Sequence, residues 1–338
     1  MADDKTDGAP QLHKTRALSI SPRQIWRDLI NGQVFVVLIV FLALCVFLGL
    51  KTTTFLSSNN LASLSRSFSW LAIVSLGQSM VIIIGGIDLS VGATMALAGL
   101  VAARCMQIGA PVSLAIVAGL LVGAIMGWLN GAMVARVRLP PFIVTLGTMS
   151  IARGFAYGLT KGWSVTNMPE AFLRLGQSDV AIGAWSVPLP FLIALGVALL
   201  VRSLLRHTVI GSDIYAMSSG ERALLVSGVN VIGLKVVVYT LCGLLAAIGG
   251  MLIAARLGVA APAAAIGYEV DVVAAAVIGG TSLFGGVGST LGVLLGAAVT
   301  QMLYNGLVLL GYPSYWQTAA IGAMILLVIL LDYWRRRR

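Results

Sequence analysis

Charged side chains are scarce in this sequence. Only 10% of its 338 residues are Asp, Glu, Lys or Arg, whereas 59% are hydrophobic and the mean hydropathy is +0.98. Because a soluble globular domain carries about a quarter charged residues, this composition excludes one. The sequence predicts an all-α membrane protein that crosses the bilayer several times.

Cysteine and histidine are also rare, which excludes several kinds of site. Cys45, Cys105 and Cys242 show neither metal-ligand spacing nor a disulfide framework. His13 and His207 stand alone, so the sequence indicates no metal site and no paired nucleophile and base. We therefore expect neither catalytic residues nor metal ligands in this chain.

Nucleotide-binding motifs are missing as well. No Gly-x-x-x-x-Gly-Lys-Ser/Thr occurs, and the glycine-rich segment 285–290 fails the G-x-G-x-x-G pattern at Leu291. We therefore expect the chain to bind no nucleotide or other cofactor of its own. The net charge of +10 does not indicate nucleic acid either, because too few charged residues are present to form a basic surface.

Long apolar runs fill the chain from residue 34 onward. A helix needs about 20 mainly apolar residues to span a bilayer. Ten such spans are predicted, at 34–50, 70–86, 89–107, 112–135, 141–160, 187–205, 231–255, 271–287, 289–310 and 315–334. Ten crossings put both chain ends on one side. No cleavage pattern follows the first run, so we expect it to be a retained helix rather than a signal peptide.

The distribution of Lys and Arg supports this count. In the ten-span arrangement, four basic groups share one side, as the positive-inside rule requires of cytoplasmic segments. These groups are Lys14, Arg16, Arg23 and Arg27; Arg136 and Arg138; Arg202, Arg206 and Arg222; and Arg335 to Arg338. Five single charges fall on the other side, at Lys51, Arg104, Lys161, Arg174 and Arg256. We therefore predict a cytoplasmic tail at 1–33, a transmembrane domain at 34–334 and a basic cytoplasmic end at 335–338.

Two connections are long enough to have roles of their own. The outer one, about 161–186, is predicted to form an external loop or short helix. The inner one, about 206–230, is the least hydrophobic stretch between the first and last spans. It is the part of the chain that a cytoplasmic protein could reach.

A weak internal repeat relates the two halves of the chain. Residues 84–92 match 278–286 at Ile, both glycines, Leu and the final glycine, and Asn130-Gly131 is echoed by Asn305-Gly306. Repeated halves are common in transporters, where the solute pathway lies at the repeat interface. In a glycine-rich apolar chain such matches also arise by chance, so the repeat alone carries modest weight.

The segment Gly85-Gly86-Ile87-Asp88-Leu89-Ser90 is the most informative by itself. Two glycines interrupt an apolar run, and Asp88 or Ser90 can cap the next helix by accepting backbone N–H groups that have no water partner in a membrane. The alternative is that Asp88 lines a solute pathway, as intramembrane carboxylates often do. We favour the cap, and the two roles are compatible. The candidate helix-break and translocation residues are Gly85, Gly86, Asp88, Ser90, Asn130, Gly279, Gly280 and Asn305.

A glycine stripe runs along the fourth predicted span. Gly119, Gly123, Gly127 and Gly131 recur every four residues, a spacing that lets another helix backbone approach closely. Packing is therefore the favoured interpretation. A substrate path flanked by glycine is the alternative.

Together these motifs resemble the permease subunits of bacterial ABC importers for monosaccharides. The resemblance covers the chain from about residue 34 to its end. It rests on Gly85 to Gly92, Asn130-Gly131, Leu139 to Thr148, Gly211 to Asn230, Gly267 to Asp271, Ile278 to Gly286 and Tyr315-Trp316-Gln317. It implies a ten-helix permease in the bacterial inner membrane that translocates a monosaccharide or related neutral polyol.

The resemblance also implies partners: a second permease copy, identical or a paralogue; a cytoplasmic ATPase that holds ATP and Mg; and a periplasmic sugar-binding protein. Membrane lipid and the sugar complete the set, and nucleic acid is not expected. The segment from Gly211 to Asn230 is similar to the family's cytoplasmic coupling helix, which would sit in a groove of the ATPase. The implied coupling residues are Gly211, Gly220, Glu221, Arg222, Ala223, Gly228 and Asn230.

This segment departs from the family pattern at two places. Ser212 stands where an Arg is common, and Ser218-Ser219-Gly220 replaces the usual Gly-Gly-Asn. These differences concern the details of the ATPase contact and leave the family resemblance intact.

Three classes of function remain at this stage. The leading one is the membrane subunit of an ATP-driven importer, which is not itself an enzyme. The alternative is an ion-coupled secondary transporter of a small polar solute, with Asp88, Glu269 or Asp271 as the coupling carboxylate, and the shortage of paired intramembrane charges argues against it. A membrane scaffold that transports nothing is the third.

Overall fold

The computed structural model describes residues 32–183, 185–217, 220–313 and 315–336. Within these ranges the chain forms thirteen helices and one short antiparallel hairpin. The helices are α1 (Gly32–Lys51), α2 (Ser58–Ile83), α3 (Val91–Gln107), α4 (Val112–Arg136), α5 (Pro141–Thr160), α6 (Glu170–Gln177), α7 (Leu189–His207), α8 (Val209–Ala216), α9 (Glu221–Val226), α10 (Val231–Leu257), α11 (Tyr268–Ile278), α12 (Thr290–Leu309) and α13 (Tyr315–Arg336). The hairpin consists of β1 (Asp179–Ile182) and β2 (Trp185–Pro188). Predicted features that fall outside the described residues are the basic groups at 14–27 and 337–338 and the departure at Ser218 and Ser219.

Polar caps and a proline fix where several helices begin. The side chain of Ser57 accepts the N–H of Asn60 at the start of α2, and Asn230 accepts the N–H of Gly233 at the start of α10. Pro141 opens α5, where its missing N–H costs no hydrogen bond. These caps matter in a membrane protein because the first backbone N–H groups of a helix otherwise have no partner.

The described helices confirm an all-α membrane protein. Seven of them are long and apolar enough to cross a bilayer: α1, α2, α4, α5, α7, α10 and α12. The apolar stretches of α3 and α13, Val91–Gln107 and Tyr315–Leu327, are shorter. Helix α11 has only 11 residues. The predicted crossings by these three helices therefore stay predictions.

Two predicted spans have wrong boundaries. The span predicted at 70–86 begins at Ser58 and ends at Ile83, because polar residues in its first half hid the helix from a search for apolar runs. The span predicted at 271–287 ends as a helix at Ile278, because Gly280 adopts a φ of +88° and the chain turns there. Residues 279–289 are not helical.

Helices α2 and α10 form the centre of the molecule. Every residue of α2 from Ser69 to Ile83 is buried, and α10 packs against α2, α3 and α4. A helix buried on all sides is mostly apolar all round, and the polar exceptions in this stretch are Ser69, Ser75, Gln78 and Ser79. Close packing around α10 depends on glycine, since a Cβ on Gly250 would lie 2.0 Å from the carbonyl oxygen of Met95 in α3.

The glycine stripe of α4 faces α10, as the packing interpretation predicts. A Cβ on Gly127 would lie 2.2 Å from the carbonyl oxygen of Tyr239, and one on Gly131 would lie 2.7 Å from the Cα of Val236. In contrast, a Cβ on Gly154 of α5 would meet no atom of the described residues within 4 Å. Gly158, four residues further along α5, likewise meets no described atom within 4 Å. The four-residue glycine spacing therefore marks a helix contact in α4 and an open face in α5.

The two glycine breaks of the repeat share one backbone geometry. Gly85 and Gly280 have φ values of +82° and +88°, and each donates its N–H to the carbonyl three residues earlier. The next residues, Gly86 and Thr281, each donate to the carbonyl five residues earlier, which completes the same helix-ending motif. Structure therefore pairs Gly85 with Gly280, whereas the sequence match pairs it with Gly279. The predicted repeat is out of register by one residue here.

The outer connection contains α6 and the hairpin, so it includes a short helix, one of the two predicted forms. Its position on the outer side stays a prediction. Arg66 of α2 forms an ion pair with Asp179 of β1, and Val165 pairs with Ala260 through two backbone hydrogen bonds. On α6, Arg174 donates to Glu170 over 2.8 Å, and this hydrogen bond lowers the pKa of the Glu170 carboxyl. These contacts tie the outer connection to α2 and to the segment after α10.

Candidate functional site

The residues at the first break form a buried polar cluster between α2, α4 and α5. Asp88 and Ser90 are each 1% exposed, and Asn130 is fully buried. The Asp88 carboxylate accepts the backbone N–H of Ser90 at 2.8 Å and the Ser90 hydroxyl at 2.6 Å. Asn130 donates to the Ser90 hydroxyl at 2.9 Å and lies 3.3 Å from both Asp88 oxygens.

A second set of side chains completes this cluster. Thr148 of α5 donates its hydroxyl hydrogen to the Asn130 side-chain oxygen at 2.6 Å. Gln78 of α2, with its amide turned so that both groups are satisfied, donates to the Asp88 carbonyl at 3.2 Å and accepts the Asp88 N–H at 3.1 Å. Buried polar groups in a membrane need such partners because no water is available. The cluster thus joins three helices to the break.

The geometry bears on the two roles proposed for Asp88. The Asp88 carboxylate accepts the backbone N–H of Ser90, the residue just before α3. The Ser90 side chain makes no capping hydrogen bond to that helix. Capping by Ser90 is therefore wrong. A role of Asp88 in translocation stays a prediction.

The second break contacts the first. Gly286 donates its N–H to the carbonyl of Ile83, the last residue of α2, at 2.9 Å. A Cβ on Gly285 would lie 2.9 Å from that same oxygen, and one on Gly279 would lie 2.4 Å from the carbonyl of Gly292 in α12. The two repeated segments therefore meet at the ends of α2 and α11, where close backbone contact requires glycine.

Asn305 does not belong to the cluster around Asp88. Its side chain and that of Asn60 donate to each other, at 2.8 and 3.1 Å. Asn60 belongs to the first turn of α2, whereas the first break follows the last turn. The structure therefore places Asn305 at the opposite end of α2 from Asp88, and the two do not form one site.

The predicted coupling segment consists of two short helices, α8 and α9, instead of the single helix that the resemblance implies. Gly220, with a φ of +107°, precedes α9, and Gly228, with a φ of +83°, follows it. Gly211 packs so closely on α7 that a Cβ would lie 2.4 Å from the Leu204 carbonyl. Asn230 caps α10. The exposed residues among the predicted coupling residues are Gly220, Glu221, Arg222, Ala223, Gly228 and Asn230.

Two contacts connect this segment to the membrane helices. Glu221 of α9 and Lys235 of α10 form an ion pair with an oxygen-to-nitrogen distance of 2.8 Å. Tyr215 of α8 donates its hydroxyl to the carbonyl of Gly288, in the segment that contains the second break, at 3.0 Å. Movement of α8 and α9 would therefore act on α10 and on the second break.

A cavity of about 670 Å³ lies between the coupling segment and the first break. We call it the inner cavity. Glycines of the break and side chains from α4, α9, α10 and the α4–α5 connection line it. Its lining includes Gly85, Gly86, Arg138, Glu221, Arg222, Leu225, Lys235 and Tyr239.

Several residues with defined contacts escaped the sequence analysis. Arg153, within α5, donates to the carbonyls of Pro262 and Ala264, each at 2.7 Å. Lys235 pairs with Glu221 as described, and Arg66 with Asp179. For Arg153, the available signal was a single cation inside an otherwise apolar helix, which requires a partner.

Comparison with known sequences decides the family. Residues 60–329 match the family described as branched-chain amino acid transport system, permease component. The chain belongs to this permease family. No solved structure matches the permease.

Relatives of the permease are sugar permeases. It is 37% identical over 313 residues to the ribose import permease protein of Haemophilus influenzae, covering 91% of this chain and 95% of the relative. It is 40% identical over 296 residues to the ribose import permease protein of Escherichia coli K12, covering 87% and 92%. The xylose transport system permease protein of that strain is 33% identical over 368 residues, covering 91% and 94%. The resemblance to monosaccharide permeases is thereby confirmed.

Proposed function

We propose that this permease moves a monosaccharide across the membrane as the transmembrane subunit of an ATP-driven importer. The observation that carries this proposal is the similarity, over most of both chains, to permeases named for ribose, allose and xylose. The low content of charged residues, 10%, suits a neutral cargo. Coupling through an intramembrane carboxylate gains no support from these relatives.

The proposed topology has ten crossings in the bacterial inner membrane, with both chain ends in the cytoplasm. The non-helical segment 279–289 would extend the crossing that begins with α11. Arg138 and Arg222 line the same cavity, which supports placing these two basic groups on one side. By the positive-inside rule that side is the cytoplasm.

The proposed energy source is a cytoplasmic ATPase, which would hold ATP and Mg. It would contact α8 and α9, whose exposed residues Glu221, Arg222 and Ala223 are available. Its movement would reach the membrane helices through the Glu221–Lys235 ion pair and the Tyr215–Gly288 hydrogen bond. The permease would supply the path and the ATPase the hydrolysis.

Two further partners are proposed. A second permease, identical or a paralogue, would complete the membrane part, and a periplasmic binding protein would deliver the sugar. Most of the specificity would then come from the binding protein, because a path that must release its solute can make only weak contacts with it.

The test is uptake of labelled D-ribose, D-xylose and D-allose by proteoliposomes that contain the permease with its ATPase and binding protein. We expect uptake of at least one sugar to require ATP and to persist with an uncoupler. Uptake that continues without ATP and stops with the uncoupler would instead identify an ion-coupled transporter. Absence of uptake of any sugar would contradict transport of this class of solute.

The coupling role has its own test. The double variant Glu221→Lys with Arg222→Glu should lose co-purification with the ATPase while the membrane domain stays folded. It breaks the Glu221–Lys235 ion pair, but a partly exposed pair of this kind contributes only about 0–1 kcal/mol to folding. The matched control exchanges two exposed charges on the outer helix α6, as Glu170→Lys with Arg174→Glu. Normal co-purification of the first variant would refute the assignment of α9.

A further inference from the structure

The lining of the inner cavity carries more positive charge than transport of a neutral sugar requires. Among the described lining residues, Arg138 lies in the α4–α5 connection, Arg222 on α9 and Lys235 on α10. Glu221 is the only carboxylate among these lining residues, so two positive charges are in excess. The proposed function gives this excess no role.

The two arginines are the source of the excess. Glu221 is paired with Lys235, whose ammonium nitrogen lies 2.8 Å from a carboxylate oxygen. Neither Arg138 nor Arg222 forms an ion pair with any residue that the structure describes, and both are exposed. Two cations that line one cavity without a counter-ion attract an anion from outside the chain.

The type of cation and its position favour a phosphate group as this anion. A guanidinium group binds phosphate through two parallel N–H···O hydrogen bonds. Basic pockets between membrane helices on the cytoplasmic side bind phospholipid headgroups, and the positive-inside rule places Arg138 and Arg222 on that side. The volume of the cavity, about 670 Å³, is large enough for a headgroup.

Apolar residues continue from the cavity into the start of α5. Leu139, Pro140 and Pro141 line the cavity. The next two residues, Phe142 and Ile143, are 56% and 61% exposed in the first turn of α5. A phospholipid with its phosphate in the cavity would therefore have an apolar surface beside it for an acyl chain. This arrangement favours a lipid over a soluble ion as the carrier of the phosphate.

We propose that the inner cavity binds an anionic phosphate group between Arg138 and Arg222. A phospholipid headgroup and free phosphate share this chemistry, and the experiment separates the two sources. Because Arg138 lies in the α4–α5 connection and Arg222 on α9, a phosphate held by both ties the coupling segment to the membrane helices. The site does not depend on which solute the permease carries.

Lipid binding tests the first source. The full-length permease is stripped of lipid in detergent and titrated with dioleoylphosphatidylglycerol, and bound lipid is counted by native mass spectrometry. Arg138→Gln and Arg222→Gln should each raise the apparent dissociation constant about fivefold. Arg136→Gln is the matched control, because Arg136 is exposed two residues before Arg138 and does not line the cavity. It should leave the constant unchanged.

Equilibrium dialysis of the lipid-free permease against radiolabelled orthophosphate tests the second source. Phosphate binding that Arg138→Gln weakens and Arg136→Gln does not would identify free phosphate as the ligand. Arg138→Lys keeps the charge but loses the paired hydrogen bonds, so in the assay that shows binding its affinity should fall between those of the parent and Arg138→Gln.

Two outcomes would overturn the proposal. The first is that neither dioleoylphosphatidylglycerol nor orthophosphate binds to the parent permease. The second is that Arg136→Gln weakens binding as much as Arg138→Gln, because the basic residues would then act only through general surface attraction. Thermal unfolding of each variant checks that it is folded, and these exposed substitutions should leave the midpoint nearly unchanged.

Discussion

Gly123 of α4 and Gly243 of α10 face each other where the two helices cross. A Cβ on Gly123 would lie 2.3 Å from the carbonyl oxygen of Gly243, and a Cβ on Gly243 would lie 2.1 Å from the carbonyl oxygen of Gly123. Each residue therefore leaves the space that the backbone of the other occupies. In a membrane, where apolar side chains gain little by leaving lipid, such close backbone packing is a main source of helix association.

Replacement of Gly123 by Ala should destabilise the permease. The added methyl group meets backbone atoms, which cannot rotate away, so α4 and α10 must separate at a cost of about 1–3 kcal/mol or more. Gly154→Ala is the matched control in α5, where the added Cβ meets no atom of the described residues within 4 Å. It should be neutral or slightly stabilising because Ala favours helix over Gly. Thermal unfolding of both variants in detergent, followed by size-exclusion chromatography, measures the difference, and equal midpoints would contradict the assigned packing.

Replacement of Asp88 by Ala should weaken the fold at the first break. It removes the acceptor of the Ser90 N–H and leaves the Asn130 amide with fewer partners. Because unpaired buried donors cost about 1–3 kcal/mol each, the unfolding midpoint should fall by more than it does for an exposed substitution such as Glu170→Ala. An unchanged midpoint would show that the carboxylate is not structural.

Exchanging the side chains of Asp88 and Asn130 tests whether their mutual hydrogen bond stabilises the buried polar cluster. Asp88→Asn alone places an amide donor next to the amide donor of Asn130. Asp88→Asn with Asn130→Asp restores a donor opposite an acceptor, and Thr148 can still donate to the new carboxylate. The double variant should be more stable than the single one in thermal unfolding. A double variant that is less stable would contradict the mutual contact of residues 88 and 130.

The sequence predicted elements well where local signals were strong. Helix α5 matches the predicted limits of 141–160 because Pro141 marks its start and Lys161, with a φ of +52°, ends it. Helix α2 was truncated in the prediction because its first half contains polar residues such as Asn60 and Arg66, whose partners lie on distant segments. Hydropathy cannot show that such groups are paired.

The sequence predicted which residues belong to the candidate site, but it did not predict the hydrogen bonds between them. Asp88, Ser90 and Asn130 were all chosen, yet their mutual hydrogen bonds join residues 40 and 42 positions apart in sequence. Tyr239 and Lys235 were missed, because a single polar residue in an apolar helix gives no pattern until its surroundings are known. The coupling role of residues 211–230 stays a prediction, and the division of this segment into α8 and α9 depends on the positive φ of Gly220.

Replacement of Arg153 by Ala should loosen the segment between α10 and α11. Its guanidinium holds the carbonyls of Pro262 and Ala264, and hydrogen bonds from a charged donor contribute about 1.5–3 kcal/mol. Amide hydrogen exchange in residues 258–267 should therefore become at least about tenfold faster. Arg104→Ala, which removes a contact only to Gln107 three residues away, should leave that exchange unchanged. Unchanged exchange in Arg153→Ala would show that the segment is held by other contacts.

The register of the repeat can be tested by asking which glycine tolerates asparagine. Gly85 has a φ of +82° and open space at its Cβ position, so Ala there is strained by about 1–2 kcal/mol, while Asn adopts this backbone more readily. Gly279 has an ordinary φ of −65°, and its Cβ position lies 2.4 Å from the Gly292 carbonyl, so Asn should be at least as harmful as Ala. Thermal unfolding should therefore rank Asn above Ala at residue 85 and not at residue 279. The same ranking at both positions would favour the sequence register, in which these two glycines are equivalent.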